Sequence, residues 1–206
     1  MAISRTGPLT RFPHTVALGL AKILVGASAA HIDDPLQALD TTEDSLGALN
    51  STGFTSNVEY WKLESGFPML EDLTIPLRES CALECEFKEI HARNLAIARG
   101  VDVEASSGEY EPHTKAGWTA DDDIPLGTIS APDYVRVEAV YTYPNGTNSM
   151  NIIFPRANVT SSVEISMAAE DNANVPITLE AKRADSGVSG GDATWDEMPL
   201  GRIYWS

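Results

Sequence analysis

Basic residues are scarce in this chain. Its 206 residues hold 14 Lys and Arg against 30 Asp and Glu, a formal net charge of −16. Proteins that read duplex sequence gather cations into a footprint on the phosphates, so this balance argues against that class. An acidic surface instead stays solvated, or lets nucleic acid pass without sticking. Cysteine is nearly absent, with only Cys81 and Cys85. On one face of a strand the two would stand about 13 Å apart, beyond disulfide reach, so no oxidising compartment is implied. The histidines are His14, His31, His91 and His113, and no two fall at a spacing that puts a ligand pair on one face of an element. There is no nucleophile elbow, phosphate-binding loop or HExxH. Carboxylates are abundant, but abundance is not placement. The chain is read as a non-enzyme with no catalytic, cofactor-binding or metal-binding residues.

Long apolar runs are missing too. Arg5 and Arg11 precede an apolar stretch over 16–25, and Ala27-Ser28-Ala29 has the small-residue pattern of a signal cleavage site. Lys22 interrupts that stretch, which is too short and too broken to span a bilayer. It is read as a first strand over 18–25, behind an extended amino-terminal arm over 1–15. No membrane partner is expected. With 43% hydrophobic residues the chain can bury a core, and its length suits one domain over 1–206.

The most informative stretch runs over 58–100. From Leu73 to Phe87 the odd positions are Leu73, Ile75, Leu77, Glu79, Cys81, Leu83, Cys85 and Phe87, a period of two that predicts a strand with one buried face. Ser65-Gly66-Phe67-Pro68 separates it from an earlier strand over 58–63, and the pair reads as a long hairpin overhanging the domain. Ile90, Leu95, Ile97 and Ala98 then suit a short helix that Gly100 would end. Such a helix is marginal alone, so it must dock on something larger.

Elsewhere the pattern is β. Residues 31–50 read as a polar connection with a turn at Asp33-Asp34-Pro35, and 101–123 as loop ending in Asp121-Asp122-Asp123. Neither acidic group has the spacing of a calcium loop. Val135, Val137, Ala139 and Tyr141 alternate with Arg136, Glu138 and Thr142. Pro144-Asn145-Gly146 turns the chain into Met150, Ile152 and Phe154. Val163, Ile165 and Met167 predict a further strand, Val175 to Ala181 another, and PLGRIYWS a closing one. The fold expected is mainly β, an antiparallel β-sandwich or flattened barrel with one flanking α-helix and the long overhanging hairpin. Tyr60, Trp61, Trp118, Trp195, Tyr204 and Trp205 are candidate sugar platforms or interface anchors, with core packing as the alternative for each. The N-x-S/T triplets at Asn50, Asn145 and Asn158 mean little without a secretory route.

Taken in order, LGLAKILVG, the 58–100 stretch, SSVEISMAAEDNANVPITLEAKRA and PLGRIYW resemble the major tail tube proteins of tailed bacteriophages. The resemblance implies a β-sandwich whose subunits form hexameric rings stacked into a hollow virion tail, assembled in the host cytoplasm. It also implies a hairpin and termini that contact neighbouring subunits, and an acidic lumen. The implied partners are other copies of the chain, a tape-measure protein in the lumen, baseplate and terminator proteins, and DNA in transit. Carried onto this chain, Tyr60, Trp61, Phe67, Met69 and Leu70 become candidate interface residues, while Glu71 and Asp72 would lie at the same contact or face the lumen. A tail terminator, a distal-tail adaptor, a head decoration protein and a secreted carbohydrate-binding module using Trp118 or Trp195 are the alternatives.

Overall fold

The computed structural model describes residues 19, 21–41, 44–67, 70–90, 92–100, 134–160, 163–165 and 174–206. The expected arm over 1–15, and His14, His91, Met69, His113, Trp118, the Asp121 to Asp123 run and Met167, lie outside them. Among the described residues, seven strands make one antiparallel sheet: β1 (Lys22–Ala27), β2 (Leu49–Ser65), β3 (Leu70–Phe87), β4 (Val135–Thr142), β5 (Ser149–Val159), β6 (Val175–Ala181) and β7 (Arg202–Trp205). Their order is β1-β4-β5-β6-β3-β2, with β7 paired to the first half of β5, and the sheet does not close. The mainly antiparallel β fold read from the alternation is the one observed.

The sheet folds over on itself. Phe54 of β2 lies three strands from β5 in hydrogen-bond order, about 14 Å away in a flat sheet. Its ring centroid is 6.3 Å from that of Phe154. The bend is placed by β5, where one extra residue between Phe154 and Ala157 breaks the register with β4 beside Pro155. Around the fold, Val25, Phe87, Val137, Phe154, Ile177 and Leu179 from five strands form one buried cluster. Helix α2 (Ala92–Ala98) adds Ile97 and Ala98, with Ile90 and Leu95 against it, as its pattern predicted. Gly100 ends it at φ +67°, its N–H donating to Ile97 O. A one-turn helix, α1 (Ser28–His31), follows β1. Gly146 takes the positive φ that the Asn-Gly turn requires, and the loop runs on to Ser149 as read.

Two readings need correction. Val163 and Ile165 pack against the core but belong to no strand. Strand β6 pairs with β3 over Val175 to Glu180 but with the end of β5 only over Leu179 to Ala181, and residues 163–165 pack beside this region as irregular chain rather than as a strand. The polar connection is shorter than 31–50, because β2 starts at Leu49 and takes in Gly53 to Ser56.

The other face of β4 is covered as well. Arg136 and Glu138 alternate with core residues and look solvent-facing in sequence, yet both are buried. Arg136 Nε donates to Glu138 Oε1 at 2.7 Å, and its terminal nitrogens donate to the carbonyls of His31, Asp34 and Leu36. Glu138 in turn accepts from Ala38 N and Leu39 N. Trp195, fully buried, donates its indole N–H to Ile32 O, and Gln37 N donates to Tyr204 Oη. These bonds satisfy the backbone of 31–39 and hold it over β4 as a second layer. Among the described residues no helix is long and apolar enough to cross a membrane.

Glu138→Ala should destabilise the chain by about 3–5 kcal/mol, because it leaves a guanidinium buried without its carboxylate. Urea unfolding followed by far-ultraviolet circular dichroism measures this. A loss under about 1 kcal/mol would mean that the pair contributes little to holding the layer.

Candidate functional site

Strand β3 outruns its support. Only its residues 82–87 pair with β6, so 70–81 continue with β2 as a two-stranded ribbon, about 40 Å of chain beyond the body. Gly66, at φ +84°, lets the chain reverse at its tip. Pro76 sits in this overhang, where β3 has one neighbour and a missing N–H is tolerated.

The registers assign every ribbon side chain to a face, since directly opposed residues share one. Near the body Phe54 pairs with Leu83, Ser56 with Cys81 and Val58 with Glu79, on the face turned to the core. Between Glu59 and Tyr60 the register shifts, and β3 carries one extra residue, Leu77. Strand β2 has no matching insertion, so its alternation continues unbroken. Beyond the shift Trp61 pairs with Ile75 and Leu63 with Leu73, both pairs on the opposite face from Phe54 and Leu83. A second extra residue in β3, Asp72, lies between the Leu63 and Glu64 pairs, so Ser65 and Leu70 follow on that outward face. Trp61, Leu63, Leu70, Leu73 and Ile75 therefore make one apolar stripe, each between 41% and 65% exposed.

The other distal face begins with Tyr60 opposite Pro76 and is polar beyond them, which agrees with this assignment. Lys62 Nζ meets Glu71 Oε2 at 2.6 Å, and Thr74, directly opposite Lys62, donates to Glu71. The hydrogen bond to Lys62 holds the Glu71 carboxyl below its usual range, and the same bond holds the Lys62 ammonium above its own. Asp72, unpaired at the second register shift, accepts from Ser65 Oγ at the distal end of the outward face.

Of the residues singled out in the sequence, Tyr60, Trp61, Phe67 and Leu70 are exposed on the ribbon, with Phe67 fully so at its tip. Met69 lies outside the described residues. The one-face reading of β3 is corrected: Cys81, Leu83, Cys85 and Phe87 share the core side, whereas Leu73 and Ile75 are exposed on the other. The extra residue at Leu77 is the reason. Leu63, Leu73 and Ile75 were missed as site residues. The signal was in β2, whose apolar positions switch from even (Phe54, Val58) to odd (Trp61, Leu63). Trp195 is fully buried, so core packing holds for it and the platform reading does not. Among the described residues, no group of three or more His, Cys, Asp or Glu could hold a metal ion.

No protein-family model matches this sequence, and no curated relative does. Among solved structures the chain is similar to one in the anti-feeding prophage cap, a tube-terminating cap, at 12% identity and a TM-score of 0.43, covering 100% of this chain and 99% of that one. It is also similar to one in the sheath–tube complex of an extracellular contractile injection system in its extended state, at 14% identity and a TM-score of 0.44, covering 95% and 93%.

The two thiols at the ribbon's root should differ in reactivity. Burial pushes the Cys85 thiol up to about 12, while Cys81 is only partly buried. A thiol reagent at about pH 8 should label Cys81 in the folded chain and reach Cys85 only after unfolding, because the thiolate is the nucleophile. Equal rates at both would contradict the packing of β3 against β6.

Proposed function

We propose that this chain is a self-assembling structural subunit of a phage-type tail, and that its copies stack as rings into the tube. The observation that supports this is the overhanging ribbon, whose distal apolar face is left bare by its own body. Apolar surface of this kind marks a contact. A contact between unlike surfaces of identical chains closes into rings or continues as filaments. The tail-tube resemblance of the sequence supplies the ring form and the number six. It also supplies the passive role, in which the tube encloses a tape-measure protein during assembly and later conducts DNA. The acidic excess suits that role, since a lumen lined with carboxylates would repel passing phosphates. Glu71 has its charge matched by Lys62, which favours a structural part for it over a lumen-facing one.

Negatively stained particles of the purified chain test this reading. Long hollow stacks are the expected result. Single rings would favour a terminator or adaptor, and particles no larger than one subunit would contradict self-assembly. Replacing Phe67 and Leu70 together by Asp should leave the body folded and stop stacking, because charges would be forced into a desolvated contact. Tubes of normal length from that variant would remove the ribbon tip from the interface.

A further inference from the structure

A second apolar surface lies bare on the same chain. In β7, Ile203 stands opposite Ile152 and Trp205 opposite Met150, so these side chains share the core face of the sheet. Ile152 and Met150 are covered by the core, but Ile203 is 42% and Trp205 65% exposed. The core face thus runs on past its covered end as a shelf. Its indole is held in place, with Trp205 Nε1 donating to Tyr143 Oη at 3.1 Å and Tyr143 edge-on to Tyr141.

We propose that the outward stripe of one copy's ribbon is covered by the Ile203 and Trp205 shelf of a second copy, and that the extra residue at Leu77 makes this contact intermolecular by turning the stripe away from its own body. The inference rests on the self-assembly reading above and names both halves of the contact. Area supports it: the five stripe residues leave on the order of 500 Å² bare, the upper end for a soluble monomer but short of the ~800 Å² that one side of a standard interface buries. The stripe therefore needs a broad apolar acceptor, and the shelf supplies two large side chains already fixed in position. Charge permits a second copy here, since chains of net charge −16 repel one another and the stripe and shelf side chains are uncharged, the nearest carboxylate being that of Asp72, bonded to Ser65 at the distal end of the stripe. Stripe and shelf are unlike, so the contact is heterologous and can repeat from copy to copy.

Mixed disulfide capture tests the pairing. In a Cys81→Ser background, one population carries Leu73→Cys and a second carries Trp205→Cys. Cys85 is buried and should stay silent. Mild oxidation of the mixture should give a mixed dimer. Thr74→Cys, on the opposite ribbon face, should give at least about tenfold less. Equal yields from the two positions would overturn the face assignment. Assembly without a Leu73→Cys to Trp205→Cys link would overturn the shelf as acceptor, leaving the tail reading intact. A chain that stays monomeric at every concentration would overturn both.

Two changes of length isolate the extra residue. Inserting one threonine between Glu59 and Tyr60 gives β2 a partner for Leu77, which removes the bulge and moves both distal strands' apolar residues to the body side. Deleting Leu77 also removes the bulge but leaves the stripe facing outward. The insertion should abolish capture and stacking, the deletion should preserve both, and an unchanged urea-unfolding midpoint should report an intact body in each. Stacking that survives the insertion, or is lost on the deletion with the body intact, would overturn the role given to Leu77.

Discussion

A two-stranded ribbon offers each side chain only two directions, and this constraint governs the molecule's outer half. Where β2 and β3 cross the body, one face must be apolar to seal against β5 and β6. Beyond the body that same face has nothing to meet. A ribbon kept in phase throughout would fold its distal apolar residues over its own core side. The unpaired residue at Leu77 shifts the phase of β3 by one, matching a shift already written into β2. The consequence is a ribbon that is apolar inward at its root and apolar outward toward its tip, with Lys62, Glu71 and Thr74 bonded to one another on the remaining face.

Such an arm is useful only if its base is fixed. Two layers fix it. The main cluster grips the root through Leu83, Cys85 and Phe87, while Arg136 and Glu138 bind the 31–39 segment across the back of β4. The ion pair is local, two residues apart on one strand, and its remaining hydrogen-bonding capacity is spent on backbone that would otherwise be orphaned. Gly201, at φ +128°, admits β7 close to β5, since a Cβ there would lie 2.0 Å from Ile153 O. The strand that carries Ile203 and Trp205 is thereby held to the same rigid body as the ribbon's root.

Much of this was legible in the residues. Alternation located β4, β5, β6 and the β2–β3 hairpin, the Asn-Gly turn was found by its chemistry, and Gly100 marked the end of α2. What escaped notice has a common physical cause, because each instance depends on two segments at once. Arg136 and Glu138 look solvated until a distant loop brings carbonyls and amides to them. Val163 and Ile165 look like a strand by alternation, yet they pack against the core as irregular chain after β5. The alternation of β3 is unbroken through Leu77, so the phase shift is visible only when β2 is read beside it, where Phe54 and Trp61 have opposite parity. Phe67 and Leu70 were among the candidate interface residues, but the broader stripe depends on register, which a single strand does not encode.

The central claim is that the outward face of the ribbon is covered by another copy. Hydroxyl-radical footprinting of the native chain across a concentration series tests it residue by residue. The account predicts that Trp61, Leu63 and Ile75, together with Trp205, become protected as assemblies form, while Lys62 and Thr74 on the other face keep their reactivity. Assemblies in which Trp61 and Ile75 react as fast as in the dilute chain would contradict it.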